Sequence, residues 1–97
     1  MLWSSTVAID TTIYPLQVAQ KASYALANTL SILIQTNDTG LNLLVTPADP
    51  AAAPSEAAAR TLVIRTLNDF ALREQVHKET SGIRELLART ALKESLA

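Results

Sequence analysis

Ninety-seven residues suffice for one domain, spanning 1–97, with a single small core. Nearly half of them are apolar, yet the aromatics are Trp3, Tyr14, Tyr24 and Phe70 alone, so the core has to be aliphatic and rich in alanine. Eight basic against nine acidic residues exclude a strong general field for nucleic acid or an anionic membrane, and the absence of cysteine excludes disulfides, thiolate-held zinc or iron–sulfur clusters and a cysteine nucleophile.

The opening "MLWSSTVAID" lacks the basic segment and long apolar run of a signal peptide. Nowhere does the chain approach the ~18 consecutive apolar residues of a spanning helix. A soluble cytoplasmic protein, without membrane contact, is the expectation. Within residues 3–10, Trp3, Ser5, Val7 and Ile9 fall on one face at a spacing of two, which predicts a half-buried strand.

The period then changes. "IYPLQVAQKASYALANTL" carries an apolar stripe of Val18, Ala19, Ala22, Leu26 and Leu30, and Pro15 suits the opening of a helix because its missing N–H would be unpaired there anyway. The small residues Ala19 and Ala22 let this helix lie close on a sheet. "SILIQT" and "LNLLVT" read as two further strands around "NDTG", with Ile32 and Ile34 alternating in one and Leu41, Leu43 and Val45 in the other. Asn37 and Asp38 supply turn chemistry, and Gly40 is free to take positive φ. An antiparallel hairpin follows.

"PADPAAAPSE" is a connection over residues 47–55, punctuated by Pro47, Pro50 and Pro54, with Ser55 placed to cap the next helix. From there the pattern is helical. Ala59, Leu62, Val63, Leu67 and Phe70 share one face at about 100° per residue. Leu72 and Val76 do not; they align with Ile83, Leu87 and Thr90. The stripe changes face near Asn68-Asp69, so the helix either bends there or runs straight and buries two faces. The straight helix is favoured, because Asp69 has Arg65 and Arg73, and Glu74 has Lys78, at i,i+4 spacing. Thr80, Ser81 and Gly82 in "ETSGIREL" are the better candidates for a break between two helices.

The expected order is therefore β-α-β-β-α-α, an α+β fold. It is a truncated ferredoxin-like split βαβ domain, with a three-stranded sheet, helices on one face, and a second helix where the fourth strand would come. A crossover leaving room between the first two strands lets the third insert antiparallel between them. The alternative, with the first two strands adjacent, stays open. Leu33 and Leu44 fall on the face away from the helices, and with two open sheet edges they predict a homodimer.

Residues 66–74, "TLNDFALRE", place Asn68 and Asp69 where helix propensity disfavours them. They also carry a resemblance. The stretch resembles the LLNDYxLRE signature of the HxsD family of bacterial His-Xaa-Ser peptide systems, with Leu67, Asn68, Asp69, Leu72, Arg73 and Glu74 matching. Phe70 stands where the pattern has Tyr, keeping the ring and losing the hydroxyl, and Thr66 where it has Leu. The early "IYP", the β-α-β-β order and the tail with "TSGIREL" also fit, so the resemblance covers most of the chain. It implies a role in peptide maturation beside a radical S-adenosylmethionine enzyme and a short substrate protein with His-Xaa-Ser repeats. It carries no mechanism with it.

The residues offer little catalytic chemistry. A radical S-adenosylmethionine enzyme needs three cysteines for its cluster, so this chain cannot be that enzyme. His77, the lone histidine, followed by Lys78 on a helix, reads as a surface residue. Gly40 and Gly82 are the only glycines, too few for a phosphate loop, and Ser81 lacks the pattern of an activated nucleophile. Glu74, Glu79 and Glu85 read as a solvated helical face. The expectation is a non-catalytic binding module without cofactor or metal. It would hold the peptide, which an open sheet edge can add as another strand, or dock onto the enzyme through a polar surface of Asn68, Asp69, Arg73 and Glu74. The rival reading is a structural subunit whose apolar surfaces serve only oligomerisation.

Overall fold

The computed structural model describes the backbone of residues 3–96 and the side chains of residues 3–80. Its elements are β1 (Ser5–Ile9), α1 (Leu16–Ala25), β2 (Leu30–Thr36), β3 (Leu41–Pro47) and α2 (Glu56–Leu96), with a short 3-10 turn at Pro50–Ala52 before α2. The order is β-α-β-β-α, an α+β fold.

The sheet order is β1-β3-β2, and β3 pairs antiparallel with both neighbours. The third strand has thus inserted between the first two, the split arrangement. Strand alternation decides the two faces. Val7, Ile9, Leu30, Leu41, Leu43 and Val45 point inward and are buried, while Thr6, Ala8, Ser31, Leu33 and Gln35 point outward and are exposed. Leu33 and Leu44 sit opposite each other on the outer face, as the sequence pattern places them.

Both helices cover the inner face. Val18, Ala19 and Ala22 of α1 and Ala59, Val63 and Leu67 of α2 are buried in the same cluster as the inner strand residues. The alanines allow that close approach. Leu26 and Leu30 also enter the core, but from outside the helix: Leu26 is the C-cap of α1 and Leu30 begins β2. Phe70 and Leu62 are partly buried at the margin.

Local chemistry accounts for the connections. Asp10 Oδ1 accepts from the Thr12 N–H at 2.8 Å and the Thr12 hydroxyl at 2.7 Å, and the Asp10 carbonyl accepts from Ile13 and Tyr14 N–H. The two Thr12 bonds to the carboxylate favour its charged form, lowering the Asp10 pKa first through the backbone donor and then through the hydroxyl. Pro15 is the N-cap of α1, one residue before the helix. Ser55 caps α2, its Oγ accepting from Ala58 N–H at 3.1 Å. In the β2–β3 hairpin, Asn37 Oδ1 accepts from Thr39 N–H at 2.8 Å.

Gly40 departs from expectation. Its φ is not positive. A Cβ there would lie 2.2 Å from the Ile9 carbonyl oxygen, so glycine is required by the close approach of β1 rather than by the turn.

The second departure is α2. It is one helix through Asn68-Asp69, as favoured, but also through Thr80, Ser81 and Gly82, so the expected junction and third helix are replaced by a continuous element. The Thr80 hydroxyl donates back to the Val76 carbonyl at 2.9 Å, which satisfies it within the helix instead of capping a new one. A lone glycine costs only about 1 kcal/mol in a helix interior and does not by itself end one.

β1 lies at one edge of the sheet, and Arg60 of α2 reaches over that edge. Arg60 donates to the Thr6 carbonyl at 3.0 Å and to Ser5 Oγ at 2.8 Å, pairing the buried Ser5 hydroxyl. Trp3 Nε1 donates to the Pro54 carbonyl at 2.8 Å and ties the connection to the strand.

Candidate functional site

The "TLNDFALRE" stretch occupies the middle of α2, where the helix leaves the sheet and lies along α1. Helical periodicity distributes its side chains around three directions. Leu67 is buried and Phe70 partly so, against the core. Asn68 lies on one flank, where its Oδ1 accepts from the Tyr14 hydroxyl. Asp69 and Arg73 lie on the other flank, joined by an ion pair at 2.9 Å. Leu72 and Val76 point away from the core and are 61% and 48% exposed.

Two of the four proposed site residues therefore hold α2 to what precedes it. Asn68 is bonded to the loop before α1. Glu74 is half-buried and pairs with Lys21 of α1 at 3.7 Å. Asp69 and Arg73 remain on the surface. Arg73 is the more informative of the pair. Its guanidinium lies 5.3 Å from the centre of the Phe70 ring while it holds Asp69, yet its side chain is 68% exposed. Ring stacking and the ion pair orient the fork and leave further N–H donors towards solvent. Phe70 supports this as tyrosine would, because the contact uses the ring face.

The four residues do not form one patch. Asn68 and Leu72 line a groove of about 400 Å³ with Ile13, Tyr14, Pro15 and Glu74. Arg73 lines a second groove of about 420 Å³ with Lys21, Phe70, Glu74 and His77. Glu74 lies between and borders both. Tyr14 and Lys21 are the residues that the sequence left without a role. "IYP" before a helix start pointed to Tyr14 as a position, but nothing along the chain pairs it with Asn68. Lys21 carried no signal at all.

Among the described residues no group of three His, Cys, Asp or Glu side chains is arranged to hold a metal ion, and no helix is long and apolar enough to cross a membrane. His77 is exposed, as its position on the helix implied. Glu85 and Ser81 lie beyond the described side chains.

No curated protein and no solved structure matches the chain. The family model described as His-Xaa-Ser system protein HxsD matches residues 9–96, from the last residue of β1 through every strand and helix that follows it. The chain belongs to the HxsD family.

Proposed function

We propose that this protein is a non-catalytic accessory component of a His-Xaa-Ser peptide maturation system that docks through the Arg73 flank of α2. Its docking partner is the radical S-adenosylmethionine enzyme of the system or the His-Xaa-Ser repeat peptide itself. The observation that carries the reading is Arg73: an exposed guanidinium oriented by Phe70 and Asp69 beside a groove. Such a fork makes paired hydrogen bonds to a carboxylate on a partner. Phe70 and Asp69 set its position, Asn68 and Glu74 hold α2 to Tyr14 and Lys21, and the reading gives the chain no cofactor and no reaction of its own.

Pull-down and titration of the purified chain against each of the two partners test this. Binding to one of them, weakened by Arg73→Ala, is the expected result. Binding to neither contradicts it. A second reading, a structural subunit whose role is oligomerisation, is favoured by one separate observation, the unguarded outer edge of β2.

A further inference from the structure

We infer that β2 is a self-association edge: two copies of the chain pair β2 with β2 antiparallel about Leu33, forming one continuous six-stranded sheet. The partner is a second copy of this chain, and no residue of 66–74 is involved.

The two sheet edges are treated differently. In β1, Ser5, Val7 and Ile9 face β3 in the ladder, and the outward carbonyl of Thr6 is taken by the Arg60 guanidinium. A charged side chain closing an edge is a common guard against strand addition. β2 forms the opposite edge, and its seven residues, LSILIQT, contain no charge and no proline. A strand of that composition left unpaired is a template for another strand.

The hydrogen-bond parity defines what β2 offers. Ala48 N–H donates to the Thr29 carbonyl and Asn37 N–H to the Gly40 carbonyl, at the two ends of the β2–β3 pairing. Both bonds lie on odd-numbered residues of the β2 side. Ladder bonds alternate by two, so Ser31, Leu33 and Gln35 bond to β3. Ile32, Ile34 and Thr36 direct their N–H and C=O groups outward.

The same parity makes the strand complementary to itself. A two-fold axis at Leu33 sets Ile32 opposite Ile34 of the second copy as a hydrogen-bonded pair, twice by symmetry. Leu33 then faces Leu33 of the second copy in a non-hydrogen-bonded pair, where side chains approach most closely. Leu33 is 58% exposed and lies beside Leu44 in the register, so the outer face gains a row of four leucines. On the inner face, Ile32 and Ile34 are only half-buried and would cover each other. Ser31 meets Gln35, and no charge meets a like charge. α1 beneath the edge carries one charge, Lys21, and that is paired with Glu74 of α2.

Sedimentation of the unaltered protein at tens of micromolar should show a dimer. Leu33→Lys and Leu33→Glu should each sediment as folded monomers, since like charges on the axis should weaken association by about a hundredfold or more. Mixing the two variants should restore a dimer, because position 33 faces itself. In the unaltered protein, hydrogen exchange should show protected amides at Ile32 and Ile34, which a folding failure of the variants would not affect. A monomer without substitutions, or rapid exchange at Ile32 and Ile34, would overturn the inference. So would a Leu33→Lys protein that stays dimeric while Val76→Lys becomes monomeric, which would place the interface on α2.

Discussion

Tyr14 donates a hydrogen bond to Asn68 across 54 positions of sequence, joining the loop before α1 to the middle of α2. That bond answers why a residue with poor helix propensity sits inside a helix. Asn68 is held by a partner from outside its own element, so its short side chain does not compete for the helix backbone. Together with Lys21–Glu74, the bond clasps α2 to α1 beyond Leu67, the last fully buried one among the described side chains.

The clasp predicts a measurable coupling. Tyr14→Phe and Asn68→Ala should show a double-mutant-cycle interaction of about 0.5–1.5 kcal/mol, the ordinary worth of one hydrogen bond. The cycle is needed because Asn68→Ala also improves helix propensity, which offsets part of its loss. Additive denaturation midpoints would show that the bond does not contribute.

The two glycines should respond in opposite directions. Gly40→Ala drives a methyl into the Ile9 carbonyl and should cost about 1–3 kcal/mol, as overpacking does. Gly82→Ala lies within continuous helix and should stabilise by about 0.5–1 kcal/mol. Thermal melting of both variants checks this, and a lower melting temperature for Gly82→Ala would point back to a helix junction.

Asp10 should leave a signature in acid. Its pKa is lowered from 3.8 in the folded protein by the Thr12 N–H and hydroxyl. Its contribution is therefore fully present above the unfolded value and is lost as pH falls through the folded-state value. The stability deficit of Asp10→Ala should be constant near neutrality and shrink in strong acid. A deficit that grows on acidification would contradict the assignment.

Much of the fold was legible because single-element periodicity is local. Val7 and Ile9, Leu41, Leu43 and Val45, and the stripe from Ala59 to Leu67 each announce a buried face through spacing alone, and Ser55 announces its cap. The features that stayed hidden depend on neighbours distant in sequence. Gly40 read as a turn glycine because the Ile9 carbonyl that crowds it comes from another strand. Thr80-Ser81-Gly82 read as a break because cap chemistry and helix-interior back-bonding use the same residue types. The candidate site was legible as a stretch but not as a geometry. Asn68, Asp69, Arg73 and Glu74 are near neighbours along the chain, yet Tyr14 and Lys21, at positions the stretch does not include, bind two of them, while the other two pair with each other.

The most direct measurement is a paired one on Arg73→Ala: thermal melting, and a binding titration against the radical S-adenosylmethionine enzyme and the His-Xaa-Ser peptide. The exposed Asp69–Arg73 pair is worth only about 0.3–0.5 kcal/mol to the fold, whereas truncating a charge buried in an interface commonly costs about 2–5 kcal/mol of binding. The account predicts a melting curve close to that of the unaltered protein and affinity for its partner reduced by a factor of about thirty or more. A folded Arg73→Ala protein that binds both molecules as the unaltered chain does would contradict it.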